Sequence, residues 1–340
     1  MISKEKKINK LFLYWLNTSL ILVFLIIIVG GLTRLTNSGL SITEWELFKG
    51  ILPPINDSDW KYYFDEYKKI PQYKLLNFGM NLEEFKIIFY WEYFHRILAR
   101  VIGLFFLIPL IIFYLTKIIK KEYINVCSII FILILFQGFI GWYMVKSGLI
   151  NDITVSHYRL SIHLSTAILI ISTIFWLIKN FKSKKNKIFF DFSKNNFPFM
   201  FLVLLIYFQI IMGAFVSGLD AGKIYQTWPL MDKTYFPNDT DLIISNLLNF
   251  ENHSLVQFYH RNLAYLIFFY ILFLTIFIYK KRISILYLPL KIFLFLLFLQ
   301  IFFGIFTLIS GLNIYLASAH QITSVLLIFG ALNMYYLRAK

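Results

Sequence analysis

Two side chains capable of acid-base or metal-ligand chemistry lie one helical turn apart in the short segment WEYFHR, residues 91–96. Glu92 and His95 stand there at the start of a run that is otherwise apolar, KIIFYWEYFHRILARVIGLFFLIPLIIFYL. Three more of the six histidines fall in similar apolar runs, namely His163, His260 and His320. An ionisable side chain inside a membrane is costly and marks a functional site by default. These five residues are therefore the first candidates for chemistry.

The composition is that of a chain with many membrane-spanning helices. Of its 340 residues, 59% are hydrophobic and 15% are charged, whereas soluble domains carry about 25% charged residues. Each apolar run of roughly 18 or more residues predicts one membrane-spanning helix. Eight such runs predict spans near residues 11–31, 87–115, 124–145, 160–178, 198–217, 254–279, 283–309 and 314–337. We therefore expect an all-α polytopic membrane protein.

Lysine and arginine residues set the expected orientation of these spans. They cluster in the first ten residues, after the second, fourth and sixth spans, and at the C-terminus, which with eight spans is one side of the membrane. The positive-inside rule makes that side cytoplasmic, so both termini are expected inside. The N-terminus lacks the pattern of a mitochondrial presequence, which favours a bacterial inner (plasma) membrane. The net charge of +15 is then explained by topology and membrane lipid, and no nucleic-acid partner is expected.

Spans one to four and spans five to eight repeat each other. Gly30 and Trp45 match Gly213 and Trp228 at one constant offset, and WEYFHR matches VQFYHR at residues 256–261. Further along each half, a second constant offset relates Gln137 to Gln300 and Gly141 to Gly304. Because each half holds an even number of spans, the repeats are parallel. We predict two four-helix bundles, at residues 1–179 and 180–340.

The repeat sorts the four membrane histidines into two pairs. Each half carries one histidine on its second helix and one on its fourth, at similar depths in the outer half of the membrane. A single buried histidine is more often a packed residue than a ligand, but four in matching positions favour a metal site. Two facing imidazoles in a helical bundle are typical axial ligands of haem iron. Zinc or copper would require a third or fourth ligand, and the only cysteine, Cys127, is better explained as a core residue.

Glu92 distinguishes the two halves, because its counterpart in the second half is Gln257. It is also the only acidic residue within a predicted span. Since residues at i and i+3 share a helix face, we expect the carboxylate of Glu92 to point toward the ligand set, where it can accept a proton. The half with glutamine would bind a haem and pass electrons. The alternative is that Glu92 serves only as the ion-pair partner of Arg96 or Arg100.

Segments spread over nearly the whole chain resemble the haem A synthase family. They are GGLTRLTNSGLSITEW (30–45), WEYFHR (91–96), SHYRLSIHLSTA (156–167), GAFVSGLDAGKIYQTWPLMD (213–232), VQFYHRNLAY (256–265) and ASAHQITSVLL (317–327). The resemblance implies eight helices in two parallel halves with both termini inside. The chain departs from the family pattern in two respects. It lacks the cysteine pair that some members carry in the first outer loop, and Ala99 replaces the glycine expected in HRxxGR.

The resemblance also implies an activity and a role for each candidate residue. Members of the family oxidise a ring methyl of haem O to a formyl group, with oxygen from water, and so supply haem A to cytochrome oxidase. By resemblance, His260 and His320 would hold a resident haem b, and His95 and His163 would flank haem O as the substrate. Glu92 would be the residue needed for the oxidation. A haem O synthase is the expected donor, while the electron acceptor and homo-oligomer formation are left open.

Two other classes of function are compatible with the residues alone. A di-haem b-type electron-transfer protein resembling quinol oxidoreductases would also use two histidine pairs, but at opposite membrane faces. An ion-coupled transporter would fit the repeat and would bind no haem. Outside the spans, Arg34 and the polar cluster TRLTNSG lie where the first bundle opens outward and are candidates for binding haem propionates. The alternative for this cluster is a set of turn and helix-cap residues.

Overall fold

The computed structural model of the chain describes residues 2–44, 49–149, 154–240 and 247–339. Within these ranges there are ten α-helices and no β-strand, apart from an isolated bridge between Met231 and Thr234. Eight of the helices are long and apolar enough to cross a membrane, which confirms the predicted number of spans. Trp45, one of the residues that define the repeat, lies outside the described ranges. The chain is a multi-pass, all-helical membrane protein.

The helices have the following bounds. They are α1 Ile2–Leu35, α2 Asp57–Tyr67, α3 Pro71–Leu75, α4 Leu82–Thr116, α5 Lys121–Gly148, α6 His157–Ser183, α7 Phe197–Gly218, α8 His253–Lys280, α9 Tyr287–Ile309 and α10 Ile314–Arg338. The short helices α2 and α3 lie between α1 and α4, in the loop predicted to face outward, and the other eight are the candidate spans.

Most spans extend beyond the apolar runs that predicted them. Helix α1 begins at residue 2 rather than 11, and α4 begins at residue 82 rather than 87, because polar residues continue a helix beyond the apolar run. Asn81 closes a capping box with Glu84 at the start of α4, and Asn252 caps α8 through the amide of Leu255 at 3.1 Å. His157 and His253, which lie just outside the predicted spans, are the first residues of α6 and α8.

The chain divides into two compact units, residues 1–170 and 171–340, with the boundary inside α6. The boundary expected from the repeat, between residues 179 and 180, stays a prediction. In the first unit α4 packs against both α1 and α5. The indole of Trp15 donates a hydrogen bond of 3.1 Å to the carbonyl of Phe105, and Phe12 meets Phe113 edge to face at 5.2 Å. Aromatic packing and this hydrogen bond join α1 to α4.

The described part of the connection between α1 and α4 folds over the N-terminal end of α4 as a small domain with its own core. Helix α2 presents Trp60, Phe64 and Tyr67, which cluster with Phe85 and Phe89 of α4. Tyr67 and Phe85 are completely buried. We call residues 40–44 and 49–75 the outer cap, after the orientation predicted from the charges. Its apolar core explains how a long connection holds a fixed position above the membrane helices.

In the second unit α7 packs against α8 and α10, and α9 packs against α10. The connection that precedes α7 is held to the end of α10. The buried hydroxyl of Tyr335 donates to the carbonyl of Phe189 at 2.9 Å and accepts from the amide of Asp191 at 2.7 Å. These contacts attach the connection between α6 and α7 to α10, the last span. The lysines of this connection predict that it lies on the cytoplasmic side.

Candidate functional site

The structure brings the four membrane histidines together in two pairs. His95 of α4 faces His163 of α6 with ring centroids 6.5 Å apart, both within the first unit. His260 of α8 faces His320 of α10 with ring centroids 6.4 Å apart, both within the second unit. The pairing that the repeat suggested is therefore present in each half.

The spacing in both pairs suits two imidazoles on opposite sides of one metal ion. Metal–nitrogen bonds of about 2 Å, with roughly 1.1 Å from each nitrogen to its ring centroid, give a centroid separation of about 6.2 Å. No group of three or more His, Cys, Asp or Glu side chains capable of holding a metal ion exists among the described residues. Haem iron needs only two protein ligands, because the porphyrin supplies the others. The two pairs thus fit axial ligation of haem.

Each of the four imidazoles rests against a glycine on a neighbouring helix. The Cε1 atom of His95 lies 3.1 Å from the position that a Cβ on Gly30 would take, and Cε1 of His163 lies 3.1 Å from that position on Gly141. The corresponding distances are 3.2 Å for His260 at Gly213 and 2.8 Å for His320 at Gly304. A methyl group at any of these positions would press on the ring. We call each of these glycines, together with the residue four positions before it, a histidine seat.

Glutamine side chains complete the seats in the second unit. The amide nitrogen of Gln209 lies 3.2 Å from Nδ1 of His260 and donates to the backbone carbonyl of the same residue at 3.0 Å. The amide nitrogen of Gln300 lies 3.3 Å from Nε2 of His320. Nδ1 of His320 donates to the backbone carbonyl of Gln300 at 3.0 Å, and the hydroxyl of Thr323 donates to the side-chain oxygen of Gln300. Both rings of this pair are held by polar contacts as well as by packing.

The first unit lacks such contacts. None of the hydrogen bonds within the described part of the chain involves the ring of His95 or the ring of His163. Nδ1 of His163 and the side-chain oxygen of Gln137, the residue four positions before Gly141, are both buried without a hydrogen-bond partner among those residues. Four positions before Gly30 stands Ile26, which carries no polar group. The two pairs have the same spacing but differ in how firmly the protein holds them.

Glu92 is buried and binds the outer cap. One carboxylate oxygen accepts hydrogen bonds from the hydroxyl of Ser41 and from the amide of Ile42, both at 2.8 Å. The other oxygen accepts from Nε of Arg96 at 3.1 Å and from its Nη2 at 2.5 Å. The ion pair that the sequence offered as the alternative role for Glu92 is therefore present, with Arg96 as the partner. Charge-assisted bonds of this kind are about twice as strong as neutral ones.

Three side chains of α4, those of Tyr93, Arg96 and Arg100, also donate hydrogen bonds to the cap. Arg96 reaches the carbonyls of Ile42 at 2.9 Å and Glu44 at 3.2 Å. The hydroxyl of Tyr93 donates to the carbonyl of Ile51 at 2.7 Å, and Arg100 donates to that of Gly50 at 3.1 Å. The cap is thus joined to α4 through the same turns that carry Glu92 and His95.

The second unit has an equivalent set of hydrogen bonds between helix and loop, in which neutral Gln257 takes the place of Glu92. Arg261 donates to the carbonyl of Tyr225 at 3.0 Å, and Gln257 donates to the same carbonyl at 2.9 Å. Tyr225 follows Ile42 at the offset that relates Gly213 to Gly30, so the arginine binds the equivalent loop position in each half. The side-chain oxygen of Gln257 and Nε of Arg261 are buried and have no hydrogen-bond partner among the described residues. In the first unit the equivalent residue, Glu92, is charged, and both of its oxygens accept hydrogen bonds.

Arg34 lies at the end of α1, where its Nη1 donates to the side-chain oxygen of Asn37 at 3.0 Å. Thr36 and Ser38 exchange a hydrogen bond of 2.6 Å beside it. These contacts are those of a helix end and turn, the alternative stated for this cluster. The structure places Arg34 in the last turn of α1, and its binding of propionates stays a prediction.

Sequence reasoning missed the partners of the histidines and of Glu92. The spacing Gln-x-x-x-Gly, found at 137–141, 209–213 and 300–304, was a signal for the seats, since glutamine and glycine one turn apart share a helix face. Ser41 and Ile42 gave no comparable signal. Their contact with Glu92 depends on the fold of the outer cap, which has no sequence period.

Similarity to known proteins agrees with the geometry. Residues 13–332 match the COX15-CtaA family model, described as cytochrome oxidase assembly protein. The chain is 52% identical over 319 residues to "Heme A synthase" of Pelagibacter ubique, an alignment that covers 92% of each chain. It is 39% identical to "Heme A synthase" of Rickettsia africae and 38% identical to that of Flavobacterium johnsoniae, each over 333 residues, covering 95% of this chain and 96% of the relative. These relatives favour the predicted family over a di-haem quinol oxidoreductase. The chain belongs to the haem A synthase family.

Proposed function

We propose that this protein oxidises the ring methyl of haem O to a formyl group and so produces haem A for cytochrome oxidase. The observation that carries the proposal is the pair of facing imidazoles in each half, whose ring centroids are 6.5 Å apart in the first half and 6.4 Å apart in the second. It is supported by relatives named for this synthesis. One pair would hold the substrate and the other a resident haem.

Oxidation of a methyl to a formyl group with oxygen from water has a fixed balance. Each of two successive hydroxylations consumes one water and releases two protons and two electrons, and the resulting gem-diol then loses one water. The site must therefore export four electrons and four protons for each haem O converted. An electron acceptor outside this chain has to receive the electrons, and a basic group near the methyl has to receive protons.

The second half is suited to the electron-transfer role. His260 and His320 are held by their glutamines and glycines and would ligate haem b, which when bound supplies one-electron transfer. Gln257 stands there in place of the carboxylate and adds no negative charge. We assign different roles to the two halves because the repeat places Glu92 in the first half and Gln257 in the second, and only the glutamate can exchange a proton.

The first half is suited to the oxidation. His95 and His163 would flank haem O, and Glu92, one turn from His95 on α4, would act on the methyl group. Arg96, Ser41 and Ile42 fix the orientation of the carboxylate. A fixed negative charge stabilises positive charge that develops on the methyl carbon, and a carboxylate can accept the released proton. Arg34 would bind a propionate at the outer end of this half.

The cellular setting follows from charge and chemistry. Cations cluster on the side of both termini, so the protein would lie in a bacterial inner membrane with its termini in the cytoplasm and both haems toward the outer face. Haem O is insoluble in water, so a haem O synthase in the same membrane is the fitting donor.

Expression of this chain together with a haem O synthase, in a host that makes no haem A, tests the function. Haems extracted from the membranes are separated by chromatography. We expect haem A to form only when both proteins are present, and His95→Ala to abolish it. Accumulation of haem O alone in the presence of stable, haem-containing protein would contradict the proposal.

A further inference from the structure

Part of the outer cap lies beside α4 with its apolar side chains uncovered. A short 3-10 helix, Lys49–Ile51, leads into the sequence LPPI, and we call residues 49–55 the lip of the cap. All three large apolar side chains of the lip are exposed, by 48% for Ile51, 69% for Leu52 and 78% for Ile55. Clustered apolar side chains on a surface mark a site of interaction with a protein or a membrane.

The helix that holds the lip indicates its depth. Helix α4 has 35 residues, Leu82–Thr116, whereas about 17–25 residues of helix cross the hydrocarbon core of a bilayer. The C-terminal end of α4 is followed by three lysines, Lys117, Lys120 and Lys121. A core that begins near Thr116 therefore ends within the turns from about Tyr93 to Arg100. The N-terminal turns of α4 stand outside the core.

The lip is bound to those same turns. The hydroxyl of Tyr93 donates to the carbonyl of Ile51 at 2.7 Å, and Nη1 of Arg100 donates to the carbonyl of Gly50 at 3.1 Å. A long arginine side chain can reach from the edge of the core toward the headgroups. The lip is therefore level with the boundary between the hydrocarbon core and the headgroups.

Exposed apolar side chains of α4 begin next to the lip. Phe94 and Val101 directly follow Tyr93 and Arg100 in sequence, which places them on the adjoining side of the helix. Both are exposed, and Leu104 continues the same exposed side one turn further along. Lipid that covers these side chains of a membrane-spanning helix also reaches the lip.

The backbone of the lip is suited to a surrounding with little water. A backbone polar group without a partner is costly at membrane depth. The carbonyls of Gly50 and Ile51 already have side-chain donors from α4, and Pro53 and Pro54 carry no N–H group. A loop surrounded by water can leave such carbonyls to the solvent.

We propose that the lip inserts into the boundary between headgroups and acyl chains of the leaflet on the cap side, and that this contact with lipid holds the cap on α4. The cap supplies Ser41 and Ile42 to Glu92, so the membrane itself takes part in fixing that carboxylate. Insertion requires no haem, and its failure would leave the proposed activity untouched.

Fluorescent labels at single cysteines test the insertion. Cys127 is the only cysteine and is buried, so Cys127→Ala provides a background without thiols. Leu52→Cys and Ile55→Cys are labelled with nitrobenzoxadiazole, and full-length protein is reconstituted in phosphatidylcholine vesicles. We expect both labels to be quenched by spin-labelled lipids, more strongly by a nitroxide near the headgroup than by one near the acyl end. Both should be protected from iodide in the water.

Phe78→Cys is the matched control. Phe78 is apolar and 83% exposed, but it precedes Leu82, which lies about 16 Å along α4 from Tyr93. A label there should be quenched by iodide several-fold more strongly than the labels of the lip, and not by lipid. Leu104→Cys provides the reference for a label that faces lipid. All variants insert in the same orientation, so the comparison does not depend on the direction of insertion.

A charge in the lip tests the cause of insertion. Leu52→Asp should withdraw the lip from lipid, so that iodide quenching of a label at Ile55→Cys rises several-fold. Phe78→Asp should leave that label unchanged. An unchanged label in Leu52→Asp would overturn apolar contact as the cause.

Two results would overturn the insertion itself. Labels of the lip that iodide quenches as strongly as the label at position 78, without quenching by lipid, would make the lip a surface for a protein partner in water. Equal quenching by lipid at position 78 and in the lip would show that exposure of any apolar site brings a label to the bilayer, whatever its depth.

Discussion

The ring of His320 occupies the space that a side chain on Gly304 would need, with Cε1 only 2.8 Å from the position of a Cβ. Gly304 lies on α9 and His320 on α10, so the glycine allows two neighbouring helices to hold an imidazole between them. The same relationship at the other three histidines makes these glycines part of the proposed haem sites.

Gly304→Ala should therefore weaken haem binding in the second half. The added methyl group has to displace the imidazole, because real Cβ atoms essentially never approach a neighbour this closely. We expect the low-spin haem absorbance per protein to fall by at least about tenfold, as for loss of a ligand's supporting partner. The measurement is the absorbance spectrum of purified protein, normalised to protein concentration.

Gly138→Ala is the matched control for that substitution. Gly138 also lies within a membrane helix, but a Cβ there would have no neighbour within 4 Å. Its replacement should leave the spectrum unchanged and favour the helix by up to about 1 kcal/mol. Equal haem loss in both variants would show that the effect comes from helix packing in general and not from the seat.

His260→Ala or His320→Ala should remove the proposed resident haem, because each would supply one of only two protein ligands. The expected result is loss of the low-spin haem b signal in purified protein that still inserts in the membrane. His253→Ala, at the first residue of the same helix as His260, should retain it. Full low-spin absorbance after either ligand substitution would contradict the assignment of the second half.

Glu92→Gln should stop oxidation of the methyl while the protein stays in the membrane. Glutamine keeps one oxygen for Arg96 but carries no charge, and its amide nitrogen cannot accept from Ser41 or Ile42. Ser41 still has the carbonyl of Ile88 at 3.2 Å, so the amide of Ile42 is left unpaired, at a cost of about 1–3 kcal/mol. Haem A formed per protein should fall at least about 100-fold, the usual contribution of a positioned acid-base group. Haem b content should be nearly unchanged.

The reciprocal variant Gln257→Glu controls for the change of side chain at the equivalent place. It should leave haem A formation close to the wild-type level, since in the proposed function the second half performs no proton transfer. Normal haem A formation by stable Glu92→Gln would contradict a catalytic role. Loss of the Glu92→Gln protein from the membrane would indicate that the ion pair with Arg96 is only an anchor of the outer cap.

The outer cap should open as tyrosine ionises at high pH. Burial, partly offset by the hydrogen bond from Asn77, raises the pKa of Tyr67 to about 12, against an ordinary value of 10.0. Because the folded state holds this proton more tightly than the unfolded chain, its contribution to cap stability is complete below pH 10. That contribution is lost as the pH rises from 10 to 12.

Difference absorbance of tyrosinate between wild-type protein and Tyr67→Phe measures this effect. The difference should appear near pH 12, together with loss of the near-ultraviolet circular dichroism of the cap. A Tyr67 difference signal that titrates near pH 10 would mean that the hydroxyl is not buried in the folded cap.

Much of this architecture could be predicted from the sequence because it follows from periods and counts. Apolar runs predicted the eight spans, and the constant offsets of the repeat placed His95 with His163 and His260 with His320. The helix rotation that presses each imidazole onto a glycine depends on interhelical packing, which the runs of Leu, Ile and Phe do not specify. The direction of Glu92 was harder still, since it is decided by Ser41 and Ile42 in a cap whose fold no hydrophobic period describes.

Conversion of haem O followed in purified protein tests the proposed activity most directly. Full-length protein with its haem b is loaded with haem O, a chemical one-electron oxidant is added, and the haems are extracted at intervals and separated by chromatography. We expect haem O to be replaced by an equal amount of haem A while haem b stays constant, and Glu92→Gln to leave haem O unchanged. Persistence of haem O in wild-type protein that binds both haems, or consumption of haem b instead, would contradict the proposed activity.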